Sequence, residues 1–594
     1  MTSLTSECLA LLRLSVPLGF TSAARIGQLL TDQAILGHLR GPSGAPTAVY
    51  LDASSLALLW MNLTNGVVVR GVCSAAGVLV AQALGARAPD VAGIWVTLAL
   101  LFTLASSVMV AGLWFLTPVL LGAFISDKHA VSLAAQYARL SVGWLLPTQW
   151  LEVLNATLSA QEIVLPQLLV YPCFLGLNGL LNWLFVLRLG LGFKGSPLGT
   201  TSTRIGMLLS MMLLSMVLPR CCDGCCRDTH HNHRTIPTAP SANLTLPQSA
   251  AQPLCPTEDG EVLDVAAKPK EKLRLRLISP ASLRKSVRSQ RIRTFLKQTL
   301  PTLLSTLLEE IQLEAVGLLA GRLGVIAMST HSSMLMTFFW LTAPMYGLVR
   351  ATSIRTSHHL GAGSPHVARQ VAMLGYACCC GLAMLVSLTL LLTRNLIGAI
   401  FSSDAAVITM TAEITPIVAG AYILVGIFYG SVATLNGQGR PLPVALAFLL
   451  GAFLISPCAG YVLAERLDCC SGVALRGIWL GLIAGYFVTS TLVLVAVCRS
   501  DWNELSLRAI ARNESIPTEI GTANTDHFNG NYRHTLSGEH GDQCSPSLEE
   551  REGLAAALQS ADGSQPLCAQ RCADETCRSP IEVREVRASR NAIS

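Results

Sequence analysis

Twelve stretches of predominantly apolar residues run along this chain, six on each side of a long polar segment. The first six lie near 9–39, 52–80, 92–123, 130–159, 164–188 and 197–218; the second six lie near 298–321, 325–354, 368–393, 407–436, 442–464 and 475–498. A membrane-spanning helix needs about 20 such residues. Composition agrees: 51% of residues are hydrophobic, only 13% are charged, and the mean hydropathy is +0.51. Soluble domains carry about 25% charged residues, and one soluble core could not hide this much apolar surface. The expected fold is an all-α, multi-pass membrane protein of twelve transmembrane helices, with lipid as its first partner.

Residues 219–296 and 499–594 break the pattern. The first is rich in Pro, Ser, His and Cys and ends in a basic run from Lys268 to Lys297; the second is rich in Ser, Asn, Glu and Gly. Both compositions read as largely disordered. The expected domains are a six-helix lobe over 1–218, a linker over 219–296, a six-helix lobe over 297–498 and a tail over 499–594. The basic linker belongs in the cytoplasm. Even helix numbers then put both termini there, and the sequon at Asn243 goes unused. Apolar periodicity begins near Cys8 and runs too long for a cleaved signal, so the first helix itself directs insertion. The plasma membrane is the expected host, with an organelle membrane as the alternative.

The two halves are repeats. Leu84-Gly-Ala-Arg-Ala-Pro-Asp-Val-Ala92 aligns with Leu360-Gly-Ala-Gly-Ser-Pro-His-Val-Ala368, identical at six of nine positions at an offset of 276. Leu121-Gly-Ala matches Ile397-Gly-Ala at the same offset, and Ala156-Thr-Leu with Pro166 matches Ala433-Thr-Leu with Pro443 at 277. Near the start, Pro17 pairs with Pro301 at 284; an insertion of about eight residues around Gly41–Ala48 accounts for the change. Six spans per repeat give both halves one orientation. Parallel repeats are related by a pseudo-twofold axis along the membrane normal, and they build transporters that rock around a central cleft.

Leu30-Thr-Asp-Gln-Ala-Ile-Leu-Gly-His-Leu39 in the first helix resembles the multidrug and toxic compound extrusion (MATE) transporters. So do Gln82-Ala-Leu-Gly-Ala86, Glu162-Ile-Val-Leu-Pro-Gln167, Pro301 followed by Glu309 and Glu314, Leu435-Asn-Gly-Gln-Gly439 and Gly477-Ile-Trp-Leu-Gly481. The resemblance spans about 9–500. It implies an H+- or Na+-coupled antiporter, expected as a monomer, that exports small organic, cationic or amphiphilic solutes. Two other readings stay open: an exporter of organic anions such as carboxylates, and a lipid-linked flippase of the same architecture.

Ionisable groups within a bilayer cost at least about 2.5–3.5 kcal/mol each at the helix centre, so they face a cavity or a partner. Thr21, Arg25, Gln28 and Asp32 share one face of the first helix. That stripe reads either as a structural Arg25–Asp32 network or as a coupling site at Asp32, where the resemblance places the family's helix-one carboxylate. Asn178 and Asn182, at i and i+4, read as a helix–helix hydrogen-bond pair or as partners of Asp32, able to bond it or to lend oxygens to Na+; the resemblance places them in its cavity. Glu309, Glu310 and Glu314 fall within six residues of an apolar span. The resemblance selects Glu309 and Glu314 for a substrate and proton cavity; Glu310 and Gln28 are also assigned to it. Helical spacing instead pairs Glu310 with Glu314. Clustered carboxylates at low dielectric resist joint ionisation, which suits a group that loads and releases protons. Met336 and Val425 stand where many relatives carry further carboxylates. Glu152 reads as structural.

The nineteen cysteines read as reduced, small, buried hydrophobes rather than as a disulfide framework. Cys221-Cys222-Asp-Gly-Cys225-Cys226 with His230, His231 and His233 is open between palmitoylation, zinc and no role. No basic run interleaves aromatics, so nucleic acid is not a partner. No Gly-rich phosphate loop and no nucleophile–base set is present, so no ATP coupling, cofactor or enzymatic activity is expected. Limited proteolysis of oriented vesicles should cut residues 219–296 from the cytoplasmic side alone and find no glycan on Asn243; a glycan there would invert the topology.

Overall fold

The computed structural model describes residues 2–37, 48–123, 127–231, 289–402, 404–466 and 471–514. Among them every regular element is helical. In the first half, α1 is Thr2–Gly37, and α2 runs from Ala48–Met61 through a π-helical turn at Asn62–Gly66 into Val67–Gly85. α3 is Pro89–Phe115, α4 is Lys128–Ala160, α5 is Leu165–Trp183 followed by a π turn at Leu184–Arg188, and α6 is Gly195–His231. In the second half, α7 is Ser289–Arg322, α8 is Val325–Gly361, α9 is Pro365–Phe401 and α10 is Ala405–Gly437. α11 runs from Leu442–Ala447 through a π stretch at Phe448–Ile455 into Ser456–Arg466, α12 is Ser471–Cys498, and a short helix α13 covers Trp502–Glu514.

Local chemistry sets the helix starts identically in both halves. Pro89 and Pro365 sit in the first turns of α3 and α9, where a missing N–H leaves no bond unmade. Asp127 caps α4 by accepting from the His129 and Ala130 amides, and Asp404 caps α10 by accepting from Ala406 at 2.9 Å. Pro166 and Pro443 open α5 and α11. Outward faces are apolar at helical spacing, as with Leu385, Leu388, Leu392 and Leu396 on α9, the surface a bilayer requires.

Among the described residues, nine helices are long and apolar enough to cross a membrane. α4, α7 and α8 have the length and are more polar; α4 carries Gln149, Glu152 and Asn155 within its span, and α7 carries Glu309, Glu310 and Glu314. Polarity on a spanning helix is tolerated where neighbouring helices cover it.

The halves meet where the ends of α2 and α8 cross. A Cβ on Gly85 would stand 2.0 Å from the His358 carbonyl oxygen, and a Cβ on Gly361 would stand 2.0 Å from that of Gln82. Both pairs are related by the offset of 276, so the contact maps onto itself when the halves are exchanged: a local pseudo-twofold axis. Leu84–Ala92 and Leu360–Ala368 therefore lie at one end of the molecule, as parallel repeats require. α1 also packs closely on α8, where a Cβ on Gly347 would fall 2.3 Å from the Gly19 nitrogen.

Charge bridges the halves at the same end. Arg355 on α8 donates to Glu7 on α1 at 2.6 Å and pairs with Glu162 between α4 and α5, while His359 lies 3.3 Å from Glu7.

Three sequence expectations need correction here. The tail was expected to be largely disordered from 499, and its first residues are helical: Asp501 caps α13 through the Asn503 and Glu504 amides. Leu505 and Ala509 then pack on Leu360 and Ala368, and Ser506 donates to the Leu360 carbonyl at 3.0 Å. The linker is helical at both ends, since α6 reaches His231 and α7 begins at Ser289, burying Arg291 and Phe295. Cys379 is buried, but Cys173, Cys458 and Cys498 are exposed on the outer surface. Residues 41–47 of the insertion, 232–288 with Asn243 and His233, and 515–594 lie outside the described residues, as do the side chains of the Cys221–Cys226 cluster.

Gly85→Ala and Gly361→Ala should each destabilise the protein by about 1–3 kcal/mol through overpacking, read as a lowered Tm in detergent. Gly93→Ala, with open space around it, should not; equal Tm values for all three would remove the close crossing.

Candidate functional site

Two polar systems are buried among the helices, one in each half. In the first, α1 carries Asp32 inward, where it is 4% exposed. Its Oδ1 accepts from Asn178 Nδ2 at 2.6 Å and from Asn182 Nδ2 at 2.9 Å, both on α5. Its Oδ2 accepts from Thr200 Oγ1 on α6 at 3.0 Å. The i, i+4 spacing of the two asparagines puts both amides on the face of α5 that meets α1. Every hydrogen bond to the carboxylate thus comes from a neutral donor. Gln28 stands one turn before Asp32 and reaches Met207 Sδ at 3.6 Å. Gln28 Oε1 and Asn182 Oδ1 are buried without partners, leaving two spare oxygen acceptors in this system. Gln28 belongs with Asp32; it does not join the glutamates with which it was grouped.

Arg25 does not pair with Asp32. Its Nη2 donates to Glu152 Oε2 on α4 at 2.7 Å and to Tyr171 on α5 at 3.2 Å, and its guanidinium lies 5.6 Å over the Tyr171 ring. Tyr171 donates to Glu152 Oε1 at 2.8 Å and accepts from Asn155 at 2.6 Å. Arg25 and Asp32 share a helix face but are seven residues apart, about 10 Å along the axis, beyond hydrogen-bond reach. Further along α4, Gln149 donates to Asn65 at 2.8 Å, within the π turn of α2. Thr200, Arg204 and Tyr171 were missed by sequence reasoning. Thr200 and Arg204, i and i+4 on α6, were the available signal.

In the second half, the three glutamates of α7 point to different surroundings. Glu310 pairs with Arg70 of α2, linking the halves. Glu309 faces the second half's interior, within electrostatic range of Tyr346 on α8, Tyr429 on α10 and Tyr486 on α12. Glu314 is half-buried and within range of Glu310. Neither Glu309 nor Glu314 makes a hydrogen bond among the described residues. Close by, Leu313, Phe338, Val425, Trp479 and Tyr486 line a narrow apolar cleft.

Two related six-helix halves around buried carboxylates define a membrane transporter built from parallel repeats. The chain belongs to the MatE family, whose model matches it twice, over residues 17–184 and 301–462. It is 26% identical over 515 residues to Protein DETOXIFICATION 16 of Arabidopsis thaliana, covering 86% of this chain and 92% of that one. It is 23% identical over 522 residues to Multidrug and toxin extrusion protein 1 of Xenopus tropicalis, covering 87% and 79%. Its fold is similar to the crystal structure of the eukaryotic MATE transporter AtDTX14, with a TM-score of 0.69 at 19% identity over 86% of this chain and 99% of that one. Twelve helices in two repeats, integral to a membrane, are thereby its architecture.

Removing one partner of a charge-assisted hydrogen bond costs about 1.5–3 kcal/mol. Glu152→Gln should therefore lower stability by that amount, read by thermal unfolding in detergent. Glu310→Gln, at a more exposed pair, should change it by less than about 1 kcal/mol. The reverse ranking would show that the interhelical bridge, not the Arg25–Glu152–Tyr171 network, carries the stability.

Proposed function

We propose that this chain is an H+- or Na+-coupled antiporter that exports small organic solutes, cationic or amphiphilic, by alternating access, and that it acts as a monomer. One observation supports this above the rest: Asp32 is a buried carboxylate whose hydrogen-bond donors are all neutral, beside the unpartnered oxygens of Gln28 and Asn182. A proton on Asp32 would find acceptors there, and Na+ would find oxygen ligands. Asp32, Asn178 and Asn182 form the coupling site in this reading, with Thr200 added to it. Glu309 and Glu314 form the carboxylate side of a substrate cavity walled by the apolar cleft, while Glu310 is occupied by Arg70. A group that exchanges a cation for substrate must bind the two with different affinity in the two conformations, since that difference drives the change.

Reconstitution into proteoliposomes with imposed H+ or Na+ gradients tests this. Asp32→Asn keeps size and most hydrogen bonding but removes titration and charge. It should abolish gradient-driven tetraethylammonium exchange in a protein that still inserts and elutes as a single species. Glu309→Gln and Glu314→Gln should impair exchange more than Glu310→Gln. Normal exchange by Asp32→Asn would make Asp32 structural and move coupling to α7.

A further inference from the structure

Counted with Arg350 of α8, the polar network around Glu152 holds three guanidiniums, Arg25, Arg204 and Arg350, against the two carboxylates Glu152 and Asp32. Arg25 is bonded to Glu152, but its Nε is buried without a partner. Arg204 on α6 is 9% exposed and makes no hydrogen bond or ion pair among the described residues. It lies within electrostatic range of Tyr171, Arg25, Glu152 and Asp32. Arg350 on α8 also makes no hydrogen bond or ion pair among the described residues. Helical register fixes its direction. Gly347 of α8 abuts α1 at Ser15 and Gly19, and Tyr346 faces the Glu309 side. At 100° per residue, Arg350 points between these two directions, out of the second half and towards the first. Glu152 and Cys73 of the first half accordingly lie within range of its charge.

All three guanidiniums therefore lie within electrostatic range of Glu152, and Asp32 is the other carboxylate within range of Arg204. Asp32 is already satisfied by three neutral donors, and Glu152 by Arg25 and Tyr171. A buried guanidinium with no partner is expensive to maintain, and an unfilled fork of donors matches a carboxylate. Resting on the transporter reading above, we propose that Arg204 and Arg350, with the free edge of Arg25, form an anion-binding subsite facing the cleft between the halves. It takes the carboxylate of a small organic solute, while the apolar cleft of Phe338, Trp479 and Tyr486 receives an aromatic body. The transported class then includes aromatic carboxylates. An arginine from each half, Arg204 and Arg350, contributes to one ligand, so such a solute binds only while the two lie across a common cleft.

Full-length protein in proteoliposomes tests this with labelled phthalate as the anion probe, its neutral isostere phthalamide as competitor and tetraethylammonium as the cation probe. Phthalate should be taken up, and phthalamide should not compete with it. Arg204→Gln and Arg350→Gln should each raise the KM for phthalate at least about tenfold, the loss of one charge-assisted contact. The ratio of phthalate to tetraethylammonium transport should fall in parallel, and Arg350→Lys should recover part of it. Unchanged phthalate KM in both glutamine variants, or exchange of tetraethylammonium without any phthalate uptake, would overturn the subsite and leave the transporter reading standing. Exchange of neither probe under any gradient would overturn the transporter reading itself.

Discussion

The approach of α2 and α8 at their ends is the contact on which this structure depends. Gly85 and Gly361 each lie against a backbone carbonyl of the opposite half, a distance that no side chain permits. Between helices in a membrane there is no hydrophobic drive, because lipid is as apolar as leucine; small residues and close backbone packing take its place. The crossing puts the two repeat loops side by side, brings Arg355 to Glu7 and Glu162, and makes the platform on which α13 rests through Leu505 and Ser506. Each of these contacts lies at one end of the molecule. Under the proposed alternating access, they are the contacts that would part.

A second constraint shapes the interior. A carboxylate or guanidinium removed from water needs partners, and these come from neighbouring helices: α1, α4, α5 and α6 supply the network of the first half. The first half concentrates hydrogen bonding: Asp32 with Asn178, Asn182 and Thr200, and Glu152 with Arg25 and Tyr171. The second half instead sets lone glutamates among tyrosines and beside an apolar cleft. Under the proposed function this is a division of labour, an ordered ion site in one lobe and a permissive cavity in the other.

Much of this was legible in the sequence because its causes are local. Helix-starting prolines, Asp caps and the Leu-Gly-Ala motifs act within a few residues, so an offset of 276 or 277 exposes the repeat directly. The i, i+4 asparagines on α5 and the Asp32 stripe reflect helical geometry alone, and they meet in space. What failed was long-range. Arg25 chooses Glu152 over Asp32 because tertiary packing brings α4 closer than two turns of its own helix. Arg70 takes Glu310 from the other half, which no spacing rule foresees. α13 was hidden by its polar composition, although Trp502, Leu505, Ser506 and Ala509 at helical intervals after Asp501 spell an amphipathic helix with a cap.

Under the proposed function, the two halves close against each other at the α2–α8 crossing and separate there during transport. Asp90 and His366 are exposed, pseudo-equivalent positions beside that crossing. Spin labels at both, in protein held in lipid nanodiscs, measure the separation by double electron–electron resonance. The account predicts one short distance population under one condition and a second, longer population whose share changes with pH or Na+ and with added tetraethylammonium. A single population, unmoved by any of these, would contradict it.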